Sequence, residues 1–283
     1  VSVDYVTVGH VTVDVMSDGS RRAGGSAFYS ALQAARLGCR ATIITRGVRA
    51  EIERLLAPFA GELELEVIDA ECTTTLRTHG AGVQREQQLL AWAGPIASTD
   101  VLVDAAIVHF APVARETPDE LTGRARFVGV TPQGLVRSWP PDGGPIVACP
   151  LDRSLLPRCC DAFVFSTSER ESCASLLAPA DGESRERSLG ALVAVTAGAA
   201  PTELHLPDGS VVRVAVPAVE QTRDDLGAGD VFAAAFFVAL ADGASPLLAT
   251  SFANAAAAVR IAGEGPAAIG DRAAIERRMA LAA

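Results

Sequence analysis

Residues 224–230 read Asp-Asp-Leu-Gly-Ala-Gly-Asp, and the eleven residues that follow, Val231–Ala241, are all apolar. Gly227, Ala228 and Gly229 let main-chain N–H groups approach a ligand closely. The helix formed by the apolar run directs its positive dipole end and unpaired donors to the same point. Phosphate is the ligand class that suits such a site. A carboxylate placed there, Asp230, can take a proton from a hydroxyl as it attacks a phosphoryl group held by those amides. The same residues also serve a plainer end, in which Asp230 caps a buried helix and offsets its dipole. Spacing alone leaves both readings open.

The elements that must hold this stretch are legible as an alternation. Val6–Val15 is β-branched and alternating and reads as a strand or strand pair ending near Asp14. Gly24-Gly25 opens a helix that runs to about Leu37 and closes at Gly38. A strand over 41–47 and a helix over 50–60 follow. Strand, helix, strand, helix is the rhythm of a parallel sheet. Residues 73–94 interrupt it with two extended runs about a Gly80-Ala81-Gly82 turn, read as a hairpin standing off the sheet. Strands are expected at 105–113, 126–130, 161–166 and 191–198, with helices near 119–125 and from Glu169. An antiparallel pair joined at Asp208-Gly209 and three helices, roughly 228–241, 245–262 and 271–281, complete the chain. Residues 138–145 and 179–186 read as surface loops. The expectation is one α/β domain over 1–283, with a small β lid from about 15–23 and 73–94.

Composition narrows the chemistry. The 283 residues carry a formal net charge of −10 with no block of like charges, which argues against a nucleic-acid or anionic membrane partner. An apolar run of eleven residues is too short to span a bilayer, and the first basic residue is Arg21, so no secretory leader is expected and a cytoplasmic location is. Six scattered cysteines without a Cys-x-x-Cys pair make structural zinc improbable and favour reduced thiols. All 24 basic residues are arginine. The absence of lysine excludes a P-loop, a Schiff-base enzyme and the usual protein-kinase phosphate contact. Gly263–Ala268 follows a helix and contains proline, so it lacks the strand-turn-helix setting of a dinucleotide fold.

Residues 24–38 with 224–237 resemble the two signature regions of the ribokinase family, the PfkB-type carbohydrate kinases: a Gly-Gly opening a helix that ends in Leu-Gly, and Asp-x-x-Gly-Ala-Gly-Asp near the C-terminus. Order and separation match over nearly the whole chain. The resemblance implies a three-layer α/β/α fold with a mostly parallel central sheet and a β lid, and ATP-dependent phosphorylation of a hydroxyl. It implies Asp230 as the base, with Gly227, Ala228 and Gly229 as the anion hole. Asp14, Gly24, Gly25 and Tyr29 fall on the substrate side, and Arg137 is a candidate contact to substrate or phosphate. Thr196 and Gly198 match a segment beside the nucleotide phosphates, and Asn254 borders the adenine pocket. Glu169 matches a residue that organises Mg²⁺ through water.

The chain departs from the family pattern at three places: Ser166 replaces an Asn, Tyr29 stands where many members carry a substrate-binding Asn, and Asp225-Leu226 replace Thr-Thr. Read singly, Asp14 is a strand-end turn residue, Gly24-Gly25 a loop, Thr196 a buried hydroxyl, Glu169 a first-turn helix residue and Asn254 a solvent-facing one. The short lid and residues 131–139 are similar to the inositol kinase branch, so the expected partners are a sugar or cyclic polyol and ATP. A nucleoside kinase and a non-catalytic sugar or nucleotide sensor are the alternatives. Arg77, Gln84 and Trp92 are the lid side chains expected near the pocket or, failing that, on the hairpin surface. A monomer or homodimer is expected.

Overall fold

The structure, a computed structural model, describes residues 4–80, 86–177 and 191–281. Its strands are β1 (Asp4–Val8), β2 (Thr12–Val15), β3 (Arg21–Gly24), β4 (Arg40–Gly47), β5 (Leu63–Asp69), β6 (Thr75–His79), β7 (Glu86–Ala91), β8 (Leu102–Phe110), β9 (Thr122–Val130), β10 (Arg137–Ser138), β11 (Gly144–Pro145), β12 (Val147–Ala148), β13 (Ala162–Ser166), β14 (Leu192–Ala197), β15 (Ala200–His205) and β16 (Val211–Val214). The helices are α1 (Ser26–Arg36), α2 (Arg49–Leu56), α3 (Ala228–Ala241), α4 (Pro246–Ile261) and α5 (Arg272–Ala280). Nine strands form the main sheet in the order β16-β15-β14-β13-β9-β8-β1-β4-β5. Every pairing from β14 to β5 is parallel, and β15 and β16 add an antiparallel edge.

Strand alternation sorts the core onto two faces. Tyr5, Ile43 and Ile107 share a cluster with residues of all five helices, whereas Val6, Val8, Ile44 and Val108 point the other way. On that second face the cover comes from residues such as Ile96, Leu135, Leu151 and Cys173, which lie in extended chain and 3₁₀ turns. The two helices expected there are corrections. Residues 119–121 form no helix and 122–125 begin β9, where Gly123, at φ 118° and close against Val103 of β8, takes a backbone conformation no helix allows. From Glu169 to residue 177 the chain makes 3₁₀ turns at Thr167–Glu169 and Ala174–Leu176. The expected loop at 179–186 lies outside the described residues.

The second sheet, β11-β7-β6-β2-β3, is larger than the expected hairpin, since β2 pairs in parallel with β6 and Gly144–Pro145 adds an edge to β7. The chain thus leaves the main sheet after β1, makes β2 and β3 in the lid sheet, and returns as α1.

α3 is apolar all round and buried from Val231 to Ala239, as a helix enclosed on every side must be. Its middle rests on the sheet through Phe237, whose ring meets the His109 ring edge-on at 4.9 Å. Opposite lies Gly129 of β9, where a Cβ would stand 2.4 Å from Phe237 Cε2, so only glycine lets the ring seat. Burial holds His109 neutral, with its pKa lowered to about 3, between Tyr5 Oη (2.9 Å) and Thr131 Oγ1 (3.1 Å). Among the described residues no helix is long and apolar enough to cross a membrane, and all six cysteines are free.

Candidate active site

The loop ahead of α3 is folded by its own first residue. Asp224 Oδ1 accepts from Leu226 N–H (3.0 Å), and Oδ2 accepts from Gly265 N–H (2.9 Å) and from Arg260 Nη2 (2.8 Å). Burial raises this carboxyl's pKa, but the guanidinium and the two amides outweigh it and leave it below the usual carboxylate range. Leu226 packs its side chain against the helical core, a role no hydroxyl residue fills as well. Gly227 then caps α3 in the left-handed region, with φ 78° and ψ 3°, and a Cβ there would lie 2.3 Å from Tyr29 Cδ1. Conformation and space both demand glycine. Ala228 N–H closes a turn on Asp225 O (3.2 Å). Gly229 is exposed at the tip, where first-turn N–H groups have no helical acceptor. Asp230 is half-buried in that first turn, and Ser30 Oγ donates to its carbonyl at 3.2 Å.

From the lid side comes Asp14, in the middle of β2 rather than in a turn and only 3% exposed. Thr12 Oγ1 donates to its Oδ1 at 2.7 Å. Across the hairpin, a Cβ on Gly24 would stand 2.2 Å from Asp14 Oδ2, so Gly24 is the space this carboxylate occupies. Gly25 follows as the N-cap of α1.

Arg137 and Tyr29 tie these segments to their surroundings. Arg137, half-buried, donates from Nη1 to Val113 O (2.9 Å) and from Nη2 to lid residue Gln87 Oε1 (2.8 Å), joining the lid to the sheet edge. Burial lowers its pKa, opposed by the charges of Glu169, Asp230, Glu116 and Asp14. Tyr29 is 3% exposed and lies behind Gly227, with Arg260 Cζ 5.8 Å from its ring centroid. Burial raises its phenol well above the ordinary value, Arg260 opposes this, and Asp14, Asp224 and Asp230 add to it. Through α1, the helix that Gly24 and Gly25 open beside Asp14, Tyr29 reaches Gly227 and Ser30 reaches the Asp230 carbonyl. Tyr29 supports the loop from behind, where a direct substrate contact had been expected.

At the neighbouring strand ends, Ser166 and Thr196 are register partners in β13 and β14. Glu169 folds back on Ser166, its Oε2 accepting from Ser166 N–H (2.7 Å) and Ser166 Oγ (2.8 Å). The serine that stands in place of the family's asparagine thus holds the carboxylate at the sheet edge. Gly198 lies in the turn after β14, and an added Cβ would meet nothing within 4 Å. Among the described residues no three His, Cys, Asp or Glu side chains gather as a metal-holding group. One half-buried carboxylate beside hydroxyls is a donor set suited to a hydrated hard cation carried by phosphates.

Asn254 does not face solvent, contrary to its reading in isolation. It is 2% exposed, its Oδ1 accepts from Thr202 Oγ1 (2.7 Å), and its Nδ2 donates to Ala215 O (3.1 Å), bracing α4 against β15 and the chain after β16. Asn254→Ala should lower stability by about 1–3 kcal/mol through the partners left unpaired, while ADP affinity changes less than twofold. Thermal melting and calorimetric titration measure the two separately. In the lid, Arg77 is exposed, Trp92 packs on Trp139 with ring centroids 6.2 Å apart, and Gln84 lies outside the described residues.

Sequence reasoning missed Glu116, Arg260 and Gln87. Glu116 is fully buried, accepting from His10 N–H (2.9 Å), Val113 N–H (2.8 Å) and Ala114 N–H (2.6 Å), so it ties the chain after β1 to the loop after β8. A glutamate in a polar string gives no hint of this. For Arg260 a signal existed: it is the only charge in residues 246–262, a mostly apolar helical stretch.

The chain is similar along its length to several solved structures. A pyrophosphate-dependent kinase in the ribokinase family, complexed with a pyrophosphate analog and myo-inositol, is 23% identical, with a TM-score of 0.76 over 96% of this chain and 99% of that one. Arabidopsis thaliana ribokinase complexed with ribose and ATP is 19% identical, with a TM-score of 0.71 over 99% of both chains. A nucleoside kinase of Methanocaldococcus jannaschii is 17% identical, with a TM-score of 0.71 over 99% of both. No curated protein matches the sequence. These likenesses carry the ribokinase-like α/β fold. The family profile described as pfkB family carbohydrate kinase matches residues 3–271. A chain that matches it over that length, with its two glycine-rich segments packed against each other, belongs to the pfkB family of carbohydrate kinases.

Proposed function

We propose that the protein transfers the terminal phosphoryl group of ATP to a hydroxyl of a cyclic polyol or related sugar, with Asp230 as general base. The observation that carries this reading is that Gly24 and Gly25 open α1 against the Asp14 carboxylate, while Tyr29 and Ser30 of the same helix meet Gly227 and the Asp230 carbonyl. Vicinal hydroxyls bind a buried carboxylate such as Asp14, which would leave one hydroxyl toward Asp230. That carboxylate would take the proton as the oxygen attacks, while the amides of Gly227 and Gly229 hold the phosphoryl oxygens and Ala228, its N–H turned to Asp225 O, shapes the loop between them. Thr196 and Gly198, at the next strand end, would flank the donor phosphates, and Glu169 would orient water on Mg²⁺. The metal supplies charge neutralisation on the phosphates when it is bound. The lid's Gln87 and Arg137 would close over the acceptor and exclude water that could otherwise take the phosphoryl group. A cyclitol is favoured because the short lid matches the inositol branch and a similar structure binds myo-inositol.

The test measures phosphorylated product over a panel of cyclitols, pentoses, hexoses and nucleosides with Mg²⁺ and ATP, with pyrophosphate as a parallel donor. Pyrophosphate is included because similar structures are pyrophosphate-dependent kinases. Fastest transfer from ATP to a cyclitol is expected. Preference for a nucleoside, or for pyrophosphate, would overturn the acceptor or the donor assignment respectively.

Asp14's part is tested from across the hairpin. Gly24→Ala places a methyl group where the Asp14 carboxylate sits, and the acceptor KM should rise roughly tenfold or more, about 1.4 kcal/mol, with donor KM little changed. An unchanged acceptor KM would remove Asp14 from acceptor binding.

A further inference from the structure

Arg260 lies on α4, outside both glycine signatures, and its side chain is wholly buried. Its Nη1 donates to Asp224 O (3.1 Å) and Gly263 O (3.5 Å), and its Nη2 donates to Leu226 O (2.7 Å) and Asp224 Oδ2 (2.8 Å). Three main-chain carbonyls and a carboxylate oxygen thus converge on one internal cation. Two of those carbonyls, at 224 and 226, belong to the strand of chain that ends in Gly227. A guanidinium is the side chain suited to this, because its fixed planar fork presents several donors at once and stays charged when buried.

The consequence lies on the loop's other side. A peptide group that turns its carbonyl inward to Arg260 cannot also turn it toward a bound anion. Leu226 O is moreover the oxygen four residues before Asp230, so its commitment to Arg260 bears on where the first turn of α3 begins. Tyr29 completes the backing, with one side toward Arg260 and its ring against Gly227. Because the loop's carbonyls are drawn back, the face toward the phosphoryl group presents N–H donors without competing oxygens.

We infer that Arg260 is the positioning residue of the anion-binding loop, holding the carbonyls of Asp224 and Leu226 away from the transferred phosphoryl group. The inference rests on the proposed phosphoryl transfer for its kinetic consequence, but its effect on anion binding can be read without turnover.

The experiment compares wild type, Arg260→Ala and Arg260→Lys. Steady-state kinetics are measured with and without guanidinium chloride at tens of millimolar, and ADP and inorganic pyrophosphate binding by calorimetry. Arg260→Ala should lose at least a hundredfold in kcat and bind both anions at least tenfold more weakly, with acceptor KM within about threefold of wild type. Added guanidinium should restore kcat at least tenfold in this variant and leave wild type and Asp230→Asn unaffected. Arg260→Lys keeps the charge with fewer donors and should fall between the two. It decides the matter if the alanine variant does not fold: a folded lysine variant with wild-type kcat and anion affinity overturns the inference. Loss of acceptor and anion affinity in equal measure, or a folded alanine variant that guanidinium does not rescue, also overturns it. If wild type transfers phosphate to no acceptor, the functional proposal fails, whereas weaker pyrophosphate binding by Arg260→Lys still supports the role of Arg260.

Discussion

Asp230→Asn is expected to lower kcat by roughly 10²–10⁴-fold, the range a positioned general base supplies, while ADP binds within twofold of wild type. Asparagine has the same shape and can still cap the first turn of α3, so the buried helix and its glycine loop persist. What it lacks is a basic oxygen for the hydroxyl proton. The alternative in which Asp230 only offsets the helix dipole predicts something different: a small loss of stability, a few tenths to about 1 kcal/mol, with turnover retained. Parallel measurements of kcat, ADP binding and melting temperature separate the two, and turnover within tenfold of wild type would dispose of the base assignment.

Gly227→Ala is expected to be nearly as severe, for steric reasons. A non-glycine residue at φ 78° carries a conformational cost of about 1–2 kcal/mol, and the new methyl carbon would lie 2.3 Å from Tyr29 Cδ1. Tyr29 is buried and braced by Phe28, with ring centroids 5.2 Å apart, so it has little room to yield. The loop must move instead, and with it the amides that define the anion site. The predicted result is at least a hundredfold loss in kcat/KM for the donor with weaker ADP binding, accompanied by a lower melting temperature. This pattern differs from that of Asp230→Asn, in which donor binding survives. A variant with wild-type donor affinity would show that the loop's conformation does not govern the anion site.

These residues also show what the sequence could and could not convey. The parallel sheet was readable because its strands are apolar, β-branched runs bounded by turn residues, and the last three helices fell within two residues of their expected bounds because apolar spacing and caps agree. The helix expected at 119–125 is instead the start of β9, because Gly123 sits at φ 118° against Val103, a long-range contact that local spacing does not reveal. The lid sheet's fifth strand was invisible because Gly144–Pro145 has no strand character of its own and pairs through position alone. At the site, chemistry concentrated in short strings was legible: the Asp230 loop, Asp14 and Gly24. Residues that act through long-range contacts were not, and Glu116 and Gln87 are examples in which the partner lies dozens of residues away. Asn254, read in isolation as solvent-facing, is buried because its amide answers to Thr202 and Ala215, which lie 52 and 39 residues away.

The seat of Phe237 on Gly129 carries a consequence for how errors reach the active site. Phe237 stands seven residues beyond Asp230, about 10 Å along α3, so the helix is pinned near its middle and works as a beam on a fulcrum. Any side chain at 129 would lift that point and tilt the beam, and the tilt would be felt at both ends with opposite sign. The outer end is at Ala241, where a small shift changes little. The inner end carries Asp230, which in the proposed transfer meets a hydroxyl at hydrogen-bond distance. A fault in the central strand of the sheet would then appear as a loss of turnover, with every residue of the cleft still in place.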